Sequence, residues 1–355
     1  MEVEARESVR RNGAFWVRLL IFTLLFVLLC GVVVFALTPK KDFGSGSMLN
    51  LYAQPAQTVD VLAVGTSMTY AGVNTNVLWA NWGVAAYVLA SAEQQYWNTY
   101  YYLKEALKTQ HPKLILLDAK PATYPDDGTK RGRTIMSTYG ILSLDTRLEA
   151  VRVTAGEEWL DYALGFPQIH EFWKQFSWDN IVPTGWTGGR AASWKGFIEK
   201  DALEHHDKPS LVWTDIKRSV NAREAEYFGK ICDLAKDNDI EILLIAYPNP
   251  DYAGDHMFYN GLWELADARG VPHLNLNDPA GRYRFRYSSD FADWQHLNIK
   301  GSVKLSKILG AYLTENYALS DHRGDAAYTS WDDCLNDWLA AWPQYADQIN
   351  AEEGA

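Results

Sequence analysis

The stretch Val59-Asp60-Val61-Leu62-Ala63-Val64-Gly65-Thr66-Ser67 decides the fold. A short apolar run ending in glycine reads as a buried strand that breaks into a turn. Outward from it the same kind of run recurs at Tyr87–Ala90, Leu114–Asp118, Ile240–Tyr247 and Val271–Leu276. Helical spacing fills the intervals. Tyr96, Tyr100, Leu103 and Leu107 recur at three- and four-residue steps over 96–110, and His111-Pro112 stops the run. Arg223–Lys236 and Phe258–Ala268 read as helices, the second closed by Gly270, and Gly301–Leu313 forms the last. Strands alternating with helices of this length predict βαβ units. The expectation is a three-layer α/β/α sandwich around a mainly parallel five-stranded sheet, preceded by one transmembrane helix.

The chain has 355 residues and a formal net charge of −11, with 48% hydrophobic and 22% charged side chains. Such a composition excludes a mainly disordered chain, and the acidity argues against a nucleic-acid partner. The charge is uneven. From Asp321 onward there are eight acids and only Arg323 as a base, so most of the negative charge lies in the tail. Three cysteines without CxxC or Cys/His spacing indicate neither a disulfide scaffold nor a zinc site. No Walker or dinucleotide glycine pattern occurs, and no cofactor or metal is expected.

Leu19–Leu37 is an uncharged run of 19 residues. As a helix it spans roughly 28 Å, close to the ~30 Å of a bilayer core. Arg6, Arg10, Arg11 and Arg18 precede it, and Lys40 and Lys41 follow. The bias favours a single-pass anchor with a cytoplasmic N-terminus (1–18) and an extracytoplasmic domain. A signal peptide cleaved near Val34-Phe35-Ala36 is the competing reading. Residues 38–58 carry the Gly, Ser and Pro of a linker.

The domain proper is expected over 59–320. Its segment 121–219 lacks clear periodicity but holds Trp159, Trp173, Trp178, Trp186, Trp194 and Trp213, and the loop Gly185–Gly189. It reads as a mostly helical insertion bordering the active edge of the sheet, although core packing explains such tryptophans equally well. Asp126-Asp127-Gly128 is a turn signal, and Glu204-His205-His206-Asp207 reads as a solvated loop. Residues 321–355 form an acidic helical extension. Ser330 and Asp333 resemble a capping pair there, and Leu335, Trp338, Leu339 and Trp342 make an apolar stripe that packs on its own domain or on a partner.

Two spots carry chemistry. In an open parallel sheet, ligands bind beyond the carboxyl ends of the strands, where Gly65-Thr66-Ser67 follows the first. A serine there has backbone N–H groups nearby that can stabilise an oxyanion, although a plain cap or turn role also fits. The second spot is Asp293-Trp294-Gln295-His296, just before the last helix, which Asn298 caps. Asp293 can hold one imidazole nitrogen of His296 and leave the other as a base for a hydroxyl.

Gly-x-Ser after the first strand and Asp-x-x-His before the last helix together resemble the SGNH/GDSL hydrolase superfamily, with its flavodoxin-like sheet. The likeness covers about 59–317. It implies Ser67 as nucleophile, His296 as general base and Asp293 as orienting acid. The anchor and residues 65–107 look most like the bacterial membrane-anchored branch, which is similar to the D-alanyl transfer protein of teichoic acid modification and to alginate O-acetylation proteins. That branch implies acyl transfer or ester hydrolysis on a cell-envelope glycan, beside a membrane-bound O-acyltransferase. The sequence departs from the pattern at Thr66, where GDSL members have Asp, in Ser91–Gln94, which has no Gly, and in Asp118–Pro121, which has no Asn. Gln94 or Gln95, with the Ser67 N–H, is the expected substitute oxyanion donor. The departures keep a second reading open: a catalytically weak or inactive accessory or glycan-binding subunit of the same fold.

Overall fold

A computed structural model describes residues 2–37, 44–125, 131–165, 173–174, 176, 178, 194–207, 214–250, 252–277 and 282–350. The strands are β1 (Val61–Gly65), β2 (Ala86–Ala90), β3 (Leu114–Asp118), β4 (Glu241–Ala246) and β5 (His273–Asn275). The helices before β4 are α1 (Glu2–Leu37), α2 (Ser45–Tyr52), α3 (Ser67–Gly72), α4 (Thr75–Trp82), α5 (Tyr96–Ala106), α6 (Arg131–Thr138), α7 (Leu144–Ala155), α8 (Trp159–Leu164) and α9 (Ala222–Asp237). After it come α10 (Tyr252–Asp267), α11 (Ile299–Asn316), α12 (Thr329–Ala341) and α13 (Ala346–Asn350).

The strands form one sheet in the order β2-β1-β3-β4-β5, with every neighbouring pair parallel. Successive side chains point to opposite faces of a strand. Leu62, Val64, Ile115 and Leu117 therefore enter a core with α5, α9 and α10, while Val61, Ala63, Leu114 and Leu116 enter another with α3 and α11. With helices on both faces, the central strands are apolar throughout. The chain passes from β1 to β2, then back across β1 to β3. The order thus reverses between the carboxyl ends of β1 and β3, the place where open α/β sheets bind ligands.

The edge at β2 is covered by the chain itself. Val88 donates to the Lys195 carbonyl at 2.8 Å, and Ile198 donates to Tyr70 O at 2.8 Å. Gly196, at φ +85°, is required because a Cβ would lie 1.9 Å from Val88 O. Covering an edge strand in this way removes a template for aggregation.

Several expectations change. Residues 45–52, read as linker, form the buried helix α2, because Met48 and Leu51 fill the groove beside Tyr87, whose hydroxyl donates to Ser47 O. The insertion is helical in α6–α8, but 194–207 has no regular helix. Trp194 is buried and Trp173 and Trp178 are exposed; Trp186, Trp213, Gly185–Gly189 and Asp126–Gly128 lie outside the described residues. Ser330 does not cap α12. It lies inside the helix, where its hydroxyl accepts from Lys195 Nζ at 2.7 Å. The tail stripe packs on its own domain, with Trp338 fully buried beside Val77, Ile299 and Val303.

At the other terminus, the apolar stretch Gly13–Leu37 of α1 is 25 residues long and almost wholly exposed. It is long and apolar enough to cross a membrane as a single-pass anchor.

Candidate active site

The carboxyl end of β1 is built around one buried carboxylate. Asp118 ends β3 beside β1 and accepts from Thr66 N at 3.0 Å, Thr66 Oγ1 at 2.6 Å and Thr69 Oγ1 at 3.2 Å through Oδ2. Its Oδ1 accepts from Lys120 N at 2.8 Å. Burial pushes the Asp118 carboxyl above the ordinary range, against the pull of these donors. Gly65 makes the approach possible. At its φ of +152° a Cβ would lie 2.2 Å from Asp118 Cβ. Thr66 then caps α3 by accepting from Met68 N. Ser67 follows as the first residue of α3, so its N–H lies outside the intrahelical ladder.

His296 and Asp293 come from the loop between β5 and α11. An antiparallel bridge, Phe291 to Leu297, and the Ala292 N bond to His296 O at 2.8 Å close this loop. Asn298 caps α11 by accepting from Gly301 N at 3.0 Å, as expected. Asp293 Oδ1 accepts from the backbone N–H groups of Gln295 and His296, both at 3.0 Å. Both of its oxygens meet His296 Nδ1, at 2.6 and 2.8 Å. Lys200 Nζ stands 3.4 Å from Oδ2. Burial works against the charged carboxylate, but the His296 and Gln295 bonds and the charges of His296 and Lys200 outweigh it. Asp293 is held well below the usual carboxylate range.

The opposite imidazole nitrogen, His296 Nε2, is buried and has no hydrogen-bond partner among the described residues. Tyr70 neighbours both this ring and Ser67. The Tyr70 ring runs parallel to the imidazole with centroids 6.5 Å apart, and its hydroxyl shares a hydrogen bond with the Ser67 side chain. Burial pushes the Tyr70 hydroxyl up to about 12, partly offset by the Ser67 bond and the Arg133 charge. Ser67 and His296 thus border the same tyrosine without bonding directly. Catalytic hydrogen bonds are often open without substrate.

Gln94 and Gln95 follow β2, the strand next to β1. Gln94 Nε2 donates to Thr99 Oγ1 at 2.9 Å; among the described residues both side-chain carbonyls are buried without a partner, and neither residue bonds to Ser67.

Three residues near the site went unassigned by the sequence reading. Tyr70 is three positions after Ser67, a spacing that shares a helix face and was visible in principle. Asp118 was visible as the polar end of a strand. Lys200 was not, because it arrives on a segment that pairs with the His296 loop: Ile299 donates to Lys200 O and Glu204 to Phe291 O. The same pairing overturns the solvated-loop reading for His206, which is buried against Trp294 and Phe291; His205 is exposed.

Among the described residues, no group of three or more His, Cys, Asp or Glu side chains could hold a metal ion. No protein-family model matches this chain, and no curated protein matches it in sequence.

Proposed function

We propose that this chain is a membrane-anchored serine acyltransferase or esterase of SGNH type, acting on O-acyl groups of a cell-envelope glycan. One observation carries the reading: His296 is clamped through Nδ1 by an ionised Asp293 while its buried Nε2 is left unpaired. Buried polar atoms are normally satisfied, and those that are not call for an explanation such as a catalytic role. A base awaiting a proton is that explanation here.

In the proposed reaction, Ser67 Oγ attacks the ester carbonyl carbon and passes its proton to His296 Nε2. Asp293 steadies the imidazolium. The C–O bond to the leaving alcohol breaks and the alcohol takes that proton, leaving an acyl-Ser67 ester. Water or a glycan hydroxyl then attacks the ester, with His296 again as base. The Ser67 N–H is the donor available for the oxyanion. A membrane-bound O-acyltransferase is the partner class that fits this chemistry.

The engaged amide of Gln94 favours a second reading, an accessory subunit with a weakened oxyanion hole. Losing one such donor costs about 10²–10³-fold in rate. A fluorophosphonate probe on the full chain separates the two. The enzyme reading expects covalent label on Ser67, absent in Ser67→Ala, together with loss of glycan acylation in cells carrying that variant. Unchanged acylation with Ser67→Ala would sink it.

A further inference from the structure

The last turns of α1 do not end free of the domain. Val34 is buried among Ile135 of α6, Tyr139 just after it, Val151 of α7 and Tyr162 of α8. Gly165 closes this contact, since a Cβ there would lie 2.8 Å from Val34 Cγ1. Val34 stands three residues before the end of the apolar stretch, about 4.5 Å inside it at the helical rise. Side chains that touch Val34 therefore sit at the depth where acyl chains give way to headgroups.

Beside this contact the same three-helix unit turns leucines outward. Leu142, Leu144, Leu148, Leu160 and Leu164 are 37–69% exposed. Leu144 and Leu148 are four apart on α7, as are Leu160 and Leu164 on α8, so each pair forms one stripe. Single exposed leucines are ordinary, but four on two adjoining short helices, with Leu142 in the loop before α7, mark an interaction surface. Arg152 lies 4.5 Å over the Trp159 ring within this unit, an aromatic and basic pairing suited to a membrane–water boundary.

We infer that α6–α8 form a membrane-docking face, and that its occupant is the bilayer crossed by α1. The inference rests on α1 being a retained anchor and is independent of the catalytic reading. Continuity decides the occupant: Val34 belongs at once to the apolar span and to the core of this face. The exposed Glu157, Glu158 and Asp161 beside Leu160 mean that attraction to anionic lipid is not the source of binding. Apolar insertion is. The docking also orients the domain. Arg133, two residues before Ile135, pairs with Glu93 at 3.4 Å and lies close enough for its charge to act on Tyr70. The rim of the Ser67 site is therefore one helix away from the bilayer surface.

The test uses the full chain in nanodiscs of phosphatidylcholine alone, with a diazirine-bearing phosphatidylcholine and peptide mapping by mass spectrometry. Label is expected on peptides covering 13–37 and, well above the level on 299–316, on peptides covering 142–164. The double variant Leu160→Ser/Leu164→Ser should lose most of the label on 159–164 and keep that on 13–37. Label confined to 13–37 overturns the docking face and leaves the anchor standing. Label on neither region overturns both. Cross-links between copies through 142–164 without lipid label would assign the leucines to self-association and equally overturn the proposal. Fluorophosphonate labelling of Ser67 is read separately and is not decided by any of these outcomes.

Discussion

His296 is held through Nδ1 by both oxygens of Asp293, at 2.6 and 2.8 Å. Asp293 accepts two backbone N–H groups and the imidazole, so its charge is fixed before any substrate arrives. Because its carboxyl is held below the ordinary value, it stays ionised throughout neutral and mildly acidic conditions. Its contribution to stability is complete above the unfolded value of about 3.9 and disappears as pH falls through the lower folded value. Replacing it tests the geometry directly. Asp293→Asn is expected to keep the fold and slow fluorophosphonate labelling by about 10³–10⁴-fold, because an amide favours the wrong tautomer. Tyr70→Phe removes only the hydroxyl bonded to Ser67. One such bond is worth about 0.5–1.5 kcal/mol, so labelling should change by less than about tenfold. A Tyr70→Phe effect as large as that of Asp293→Asn would make the tyrosine, and not His296, the partner of the nucleophile.

At the scale of elements, the β1–α3 turn depends on one residue without a Cβ. Gly65→Ala would combine backbone strain with a clash against Asp118, at a cost of about 2–4 kcal/mol in a denaturant titration. An unchanged midpoint would show that Asp118 can withdraw and that the turn is less constrained than its geometry indicates. This turn was legible in the sequence because strand, glycine and serine are contiguous there. Helix α2 was not. Its Ser, Gly and Asn content matches a linker, and only the groove beside Tyr87 and α5 makes Met48 and Leu51 core residues. The Ser330–Asp333 pair misled for a related reason. Tyr328 and Trp331 pack against Trp79 and set where α12 begins, leaving Ser330 to accept from a lysine.

Across the whole molecule, the tail and the insertion are fastened to the domain by buried groups from distant parts of the chain. Trp338→Ala should cost about 3–5 kcal/mol, the range for emptying a large aromatic from a core, and would be read as a lowered melting temperature. A loss below 1 kcal/mol would mean that the tail is only loosely attached. Lys195 supplies a pH signature for the same junction. Its ammonium donates to Gln54 Oε1 and Ser330 Oγ, each at 2.7 Å, and lies 3.8 Å over the Trp331 ring. Burial nevertheless pulls it down to about 8. Between that value and the unfolded value of about 10.4, the unfolded chain binds more protons, so this group makes stability rise with pH across the window. Lys195→Met should flatten that rise; a slope that survives the substitution would point to another group.

The sequence by itself determined the five strands, their alternation with helices, the apolar N-terminal helix and the Asp293–His296 pair. Each is written in contiguous residues, where periodicity, a charge-free run or a three-residue spacing acts locally. Tertiary structure alone decided that Asp118 holds the Thr66 turn, that Lys200 backs Asp293, that Tyr70 neighbours both Ser67 and His296, and that Val34 seats on α6–α8. These contacts join residues remote in the chain, and burial, which makes them favourable, exists only once the sheet has brought the segments together.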